Sequence, residues 1–367
     1  MFQAQLLRFG SISLVGILLS ACAGQPLTDY DLDVPAQTLR VPGASTVEDG
    51  RTRFREIFCG SATPGEETDR NPETCEGFLH RLSDEAPLPA VPEPLPEADR
   101  RLRVVLVGGL LSDCVADVAE IYGDASQALR ERGYQVELIP VSGLSSSRRN
   151  AQKIADFLAK LELQQDEKLV LIGHSKGAVD ILQFLVDYPD SVETVVAVAS
   201  IAGAINGSPL ADWVGETARP WLSWVPKSWC APGDSGALDD LRRSERLDWW
   251  RRNSLPDSVR YYSVAAFTQR EEAAWPLQHS HSFLSYVDPR NDGQLIFYDQ
   301  VIPGAILLGF ANTDHWGIAL PLESRYSWLG LRPRQVPAFP RTALLETLLL
   351  YIAEDLQRIG QGVGAAP

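Results

Sequence analysis

The chain has 367 residues, with 33 basic and 48 acidic side chains, a formal net charge of −15 and 45% apolar content. That length holds one large domain or two ordinary ones, and so much apolar material beside a 22% charged fraction excludes disorder for most of it. The carboxylate excess, with no Lys/Arg-rich stripe to offset it, excludes a nucleic-acid partner, because a phosphate backbone would be repelled.

Residues 1–21 read as a signal peptide outside the fold. Arg8 gives a weakly positive start, 12–19 is a short apolar run, and Leu19-Ser20-Ala21 precedes Cys22. The apolar run is too short to span a bilayer. Leu19-Ser20-Ala21-Cys22 resembles the lipobox of bacterial lipoproteins, whose cysteine is lipidated and becomes the N-terminus after cleavage. The resemblance implies a membrane anchor of several acyl chains at Cys22, each buried CH₂ contributing about 0.8 kcal/mol. Ala23 after the cysteine, in place of Asp, implies the outer membrane and the periplasmic side. Without the signal the mature chain has 32 basic and 48 acidic residues, a net charge of −16.

Four cysteines remain: Cys59, Cys75, Cys114 and Cys230. An even count outside a reducing compartment reads as two disulfides. Three pairings exist, and proximity in sequence favours Cys59–Cys75 with Cys114–Cys230. The first closes a short loop and constrains the unfolded chain by about 3 kcal/mol.

From 22 to 100 the sequence is polar and turn-rich, with a charged stretch at 66–73 and five prolines in 86–96. Proline at that density favours an extended spacer. This region is expected to be a tether with a small disulfide-pinned segment, leaving 101–367 as the main domain. His80 is expected to precede its sheet.

From 102 the pattern changes. Strands are predicted at 102–107, 134–141, 168–173, 194–200, 259–267 and 305–311, and helices at 117–132, 148–163, 178–188 and 341–359. The 117–132 helix stops at Gly133 and the 178–188 helix at Pro189. Apolar strands alternating with amphipathic helices indicate an α/β fold, a mostly parallel sheet with helices on both faces. The alternation breaks between about 205 and 258.

Gly173-His174-Ser175-Lys176-Gly177 matches G-x-S-x-G. Alone the pattern is weak, but Leu169-Val170-Leu171-Ile172 leads in as a buried strand and Ala178-Val179-Asp180-Ile181-Leu182 leads out as a helix. That is the setting in which a serine sits on a strained turn above a sheet. Over about 102–359 the chain resembles the α/β-hydrolase fold, and within it the lipase- and esterase-like members. The resemblance implies a Ser, then Asp or Glu, then His order. Among five histidines, His174 lies inside the elbow and is expected to pack, and His279 and His281 form a His-x-His in a polar loop, expected to be solvated and not a metal site. His315 follows the last predicted strand in Asn312-Thr313-Asp314-His315-Trp316-Gly317 and is the expected base. For the acid, Asp288, Asp292 and Asp299 are candidates. Asp292 is favoured, because Asn291-Asp292-Gly293 is similar to the Asp-Gly turn that supplies the acid in many bacterial lipases. Asp314 is adjacent to His315 in sequence and is a poor partner for its imidazole.

A serine hydroxyl needs a base during attack, and the base needs a carboxylate to set its tautomer. The oxyanion needs aimed donors. The backbone N–H of Lys176 is one, and the resemblance implies a second from Gly108-Gly109-Leu110, with Leu110 favoured. The Lys176 side chain is expected to be solvated.

The insertion at 205–258 carries Trp213, Trp221, Trp224, Trp229, Trp249 and Trp250, six of nine tryptophans. In this fold that place commonly holds a cap, and its rings suit either an acyl-binding wall or packing of the cap onto the sheet. The expectation is a serine hydrolase of lipase or carboxylesterase type acting on hydrophobic esters, with no cofactor and no metal. Two alternatives stay open: a thioesterase or acyltransferase using the same residues, and a non-catalytic lipoprotein that binds a hydrophobic ligand under the cap.

Overall fold

The computed structural model describes residues 30–41, 45–60, 75, 77–110, 112–114, 120–213, 233–321 and 336–363. In chain order the elements are β1 (Glu48–Asp49), α1 (Arg51–Gly60), β2 (Leu79–His80), β3 (Leu102–Val107), α2 (Gly123–Glu131), β4 (Val136–Ile139), α3 (Ser147–Leu158), β5 (Lys168–His174), α4 (Lys176–Asp187), β6 (Val195–Ile201), α5 (Ala237–Asp240), α6 (Arg243–Arg252), β7 (Arg260–Phe267), α7 (Trp275–Leu284), β8 (Ile306–Asn312) and α8 (Arg341–Val363). Short 3₁₀ turns lie at Pro189–Ser191 and Phe297–Gln300.

The strands form one eight-stranded sheet in the order β1-β8-β7-β6-β5-β3-β4, parallel throughout this path, with β2 added antiparallel to β8. Alternate residues of each strand serve opposite faces. Val104, Leu106, Val170 and Ile172 meet α1, α2 and α8, whereas Val105, Val107, Leu169 and Leu171 meet α3, α4 and α6. Both faces are covered, which is why β3, β5 and β6 carry near-continuous apolar runs. The predicted mostly parallel α/β architecture is the observed one.

The topology places a crevice. From β3 the chain moves outward to β4, then returns to the other side of β3 as β5, and continues away through β6, β7 and β8. The helices that follow β3 and β5 therefore lie on opposite faces, so the chain leaves the paired ends of those two strands in opposite directions. An open α/β sheet binds its ligands at this switch point.

The region read as a tether differs from expectation. Its described part adds β1, α1 and β2 to the sheet edge beside β8, and His80 is a strand residue paired with Phe310. Phe54, Ile57 and Phe58 are buried against α8, supplying a face that the neighbouring polar residues conceal in the sequence. Cys59 and Cys75 are bridged, with Cα atoms 5.6 Å apart, as predicted. Cys114 is also disulfide-bonded; its expected partner Cys230 lies outside the described residues, as does Cys22. The proline-rich stretch 86–96 has no helix or strand and is largely exposed.

A buried ion pair locks this edge. Arg55 meets Glu85 at 2.6 and 2.9 Å and donates to the carbonyls of Leu79 and His80, each at 2.8 Å. Removing one partner of a buried pair leaves an uncompensated charge and costs about 3–5 kcal/mol. Glu85→Ala is therefore expected to lower the free energy of unfolding by about 3 kcal/mol, read by urea titration; a mere tether would leave the midpoint unchanged.

Candidate active site

Strand β5 delivers Ser175 to the crevice on a turn with φ 56° and ψ −127°. A non-glycine residue in that region is strained, and the packing on both sides enforces it. At Gly173 an added Cβ would collide with the backbone of Ala178, and at Gly177 one would meet the Val107 carbonyl and lie 2.6 Å from that of Gly108. Strand, turn and helix thus approach at distances that only glycine permits.

The predicted residues from the other loops converge here. His315, in the loop after β8, brings Nε2 to 2.8 Å from Ser175 Oγ, and its Nδ1 lies 2.7 Å from Asp292 Oδ2. All three are buried, Ser175 the most accessible at 6%. The other Asp292 oxygen accepts from Gln294 N at 2.8 Å and Leu295 N at 2.6 Å, and the His315 N–H donates to the Asp292 carbonyl at 2.9 Å. The carboxylate is thus oriented by its own turn, which Gly293 closes at φ 89°. Asp288 instead pairs with Arg290 at 2.9 Å, and Asp299 with Arg243 at 3.2 Å. Burial pushes Asp299 up to about 7, against the pull of Arg243. Asp314 accepts from Trp316 N, Gly317 N and Ala274 N, so it shapes the histidine loop and faces away from the imidazole's partner position.

For the oxyanion, Lys176 is the first residue of α4, where backbone N–H groups lack intrahelical acceptors. Gly109 lies directly against the serine: a Cβ there would stand 2.6 Å from Ser175 Cβ. Gly108-Gly109-Leu110 therefore borders Ser175 from the β3 side, and Leu110 is half-buried at its end.

Two expectations need correction, and an alternative left open for the tryptophans is decided for two of them. The Lys176 side chain is fully buried: one turn along α4 it meets Asp180, Nζ to Oδ1 2.5 Å, and Asp180 also accepts from Asn150 at 2.7 Å. The i,i+4 spacing of the pair was visible, but its burial follows from the elbow, which turns the start of α4 into the core. Burial drives the Asp180 carboxyl upward and Lys176 opposes it. The His-x-His lies on α7, not in a loop, with His281 buried and 2.9 Å from the Thr268 carbonyl and His279 exposed. Among the described residues no cluster could hold a metal ion. In the insertion, Trp249 and Trp250 pack onto α4 and β6, Trp249 Nε1 donating to Gln183 at 2.8 Å, so they bind the segment to the sheet and do not wall the crevice. Trp213 is exposed. Trp221, Trp224 and Trp229 lie outside the described residues.

Two supports were not anticipated. Gln300 clamps the Ala266 backbone with both amide atoms, at 2.6 and 2.8 Å, and reaches Asp292 Oδ2 at 3.4 Å. No sequence signal marks it. His174 packs, as expected, but also contacts the His315 carbonyl through Nε2 at 3.1 Å, with the two rings 4.8 Å apart. Burial, followed by repulsion from His315, holds His174 well below the usual histidine value, so it is the neutral N–H donor. Below pH 6.5 the unfolded chain gains a proton at this position that the folded chain refuses, so stability is lost as pH falls. His174→Gln, which keeps a donor, is expected to remove from that acid slope a contribution that grows to about 1.4 kcal/mol per pH unit once the pH is a unit or more below the unfolded histidine value. Urea titrations between pH 7 and 5 check it, and an unchanged slope would mean that His174 protonates in the folded state.

Sheet order, crevice and elbow define an α/β hydrolase. No protein-family model matches the chain, and no curated protein does. Among solved structures it is similar to the metagenomic carboxyl esterase MGS0156, at 38% identity over 88% of this chain and 97% of that one, with a TM-score of 0.77. The mature lipase BlEst2 of Bacillus licheniformis (20% identity, 61% of this chain and 89% of that one, TM-score 0.49) and lipase 1 of Pelosinus fermentans (12%, 70% and 99%, 0.49) are also similar. The chain belongs to the carboxyl-esterase family of α/β hydrolases.

Proposed function

We propose that the protein is a serine hydrolase that cleaves carboxylic esters through an acyl-enzyme on Ser175. The observation that carries this reading is the hydrogen-bonded line from Ser175 Oγ through His315 to Asp292, 2.8 and 2.7 Å. In it, His315 Nε2 takes the hydroxyl proton as Oγ bonds to the ester carbon. Asp292 holds the Nδ1–H tautomer and stabilises the imidazolium that forms. The backbone N–H groups of Lys176 and Leu110 receive the oxyanion, an interaction worth about 2.7–4 kcal/mol per donor. Collapse expels the alcohol, which leaves with the proton from His315, and water repeats the sequence to release the acid.

The same reading places the enzyme in the cell envelope, held to the outer membrane by a lipidated Cys22 and facing the periplasm; the support is Leu19-Ser20-Ala21-Cys22. The test is a fluorophosphonate probe with peptide mapping, followed by hydrolysis of aryl esters of increasing acyl length. Ser175 is expected to be the labelled residue, and the rate profile separates esterase from lipase. A folded protein that neither takes the probe nor cleaves any chain length would return the site to ligand binding.

A further inference from the structure

The surface changes character at the rim of the crevice. From Trp275 to Val287 no Asp, Glu, Lys or Arg occurs, thirteen residues in a chain that is 22% charged. They form α7 and the turn after it. Leu277, His281 and Leu284 face inward. Trp275, His279, Phe283 and Tyr286 recur at helical spacing on the other side. Trp275, Tyr286 and Val287 are 60%, 57% and 50% exposed, and the exposed Trp213 lies with its ring 4.7 Å from that of Phe283.

The inward side of the same helix adjoins the candidate site. Leu277 abuts Gly293, next to Asp292, where an added Cβ would stand 2.9 Å from its own. Ala273, Ala274 and Leu277 pack with Trp316, next to His315.

We propose that the exposed face of α7 and its following turn is a lipid-facing surface, resting in the interfacial layer of the bilayer with the crevice mouth towards it. The inference deepens the reading of an anchored esterase and rests on it. Three observations select a lipid surface as the occupant. Trp and Tyr without charges suit the headgroup boundary, where one end of the ring is apolar and the other wet. The mature chain is strongly acidic and so are anionic leaflets, so an uncharged face is the one that approaches without repulsion. Third, the chain enters at this same edge: the Tyr30 ring packs 5.1 Å from that of Phe267, at the end of β7, and shares a cleft with Gln269 and Glu272, shortly before Trp275. Cys22 precedes Tyr30 by eight residues, about 29 Å of chain at most, so an anchor there keeps this edge near the bilayer.

The test reconstitutes the full chain in phosphatidylcholine vesicles that contain lipids brominated high in the acyl chain, a tryptophan quencher. With nine tryptophans, the difference between wild type and Trp275→Phe isolates one ring. Bromine quenching that is lost in Trp275→Phe is the expected result. The variant W275S/Y286S/V287S is expected to hydrolyse a soluble short ester at an unchanged rate and an ester dispersed in the same vesicles about tenfold more slowly. Quenching unaffected by Trp275→Phe, or an unchanged rate on the vesicle ester, overturns the proposal. So does light scattering that shows a dimer dissolved by the triple variant, since the face then covers a second copy. Mixing the Cys22→Ser full chain with the same vesicles separates the anchor from the surface. Trp275-dependent quenching there supports the surface even if lipidation fails, and its absence counts against it. Fluorophosphonate labelling, read alongside, reports on the esterase reading alone.

Discussion

Ser175→Ala and His315→Ala are each expected to lower kcat on a short aryl ester by about a million-fold, and the double variant by no more than either. Residues that act as one unit lose nearly everything with the first deletion, so the second finds little left to remove. Here the unit is visible as two short contacts in series, Ser175 Oγ to His315 Nε2 at 2.8 Å and His315 Nδ1 to Asp292 at 2.7 Å. Without the imidazole the hydroxyl keeps its proton, and without the hydroxyl the imidazole has no nucleophile to serve. The residual rate over water then comes from binding and from the oxyanion donors, about 10³–10⁴-fold. KM should change little, because neither side chain holds the ester in its ground state. The check is kcat and KM for the three variants, with urea midpoints to establish that each is folded. Multiplicative losses in the double variant would show that the two residues act separately.

What could be read in advance, and what could not, follows from the range of the interactions involved. Ser175 was legible because its requirements are local: a buried strand, two glycines and a helix within a few positions. His315 was legible because few histidines exist and one follows the last strand. Asp292 needed the resemblance as well, since Asp288 and Asp299 occupy similar sequence settings; what separates them is that Asp288 and Asp299 already have arginine partners. The 22–100 region was misread because composition reports an average. Phe54, Ile57 and Phe58 make one buried face among charged neighbours, and β1 and β2 are two residues each, too short for any periodicity to register. Lys176 was misread because lysine is almost never fully buried unless paired, and its pairing depends on the direction in which the elbow aims the first turn of α4. Gln300 was missed because an amide that joins two loops has no pattern along the chain.

Asp292→Asn is expected to lower kcat by about 10⁴-fold while leaving the fold intact, and the turn around it explains why so small a change does so much. One carboxylate oxygen accepts two backbone N–H groups, from Gln294 and Leu295. An asparagine must place its carbonyl oxygen there, because an NH₂ would face two donors. Its NH₂ is then directed at His315 Nδ1, the imidazole must accept at that nitrogen, and its proton moves to Nε2. A protonated Nε2 cannot receive the Ser175 hydrogen, so the geometry survives and the tautomer is wrong. The NH₂ also faces the Gln300 amide, which now lacks its acceptor at 3.4 Å. Asp288→Asn is the matched control: it weakens the largely buried pair with Arg290, at a cost in stability, but that pair touches neither His315 nor Ser175, so kcat is expected to stay within about threefold. Steady-state kinetics on both variants, together with the rate of fluorophosphonate labelling at Ser175, decide between them. Comparable losses in the two, or full activity in Asp292→Asn, would assign the acid to another carboxylate.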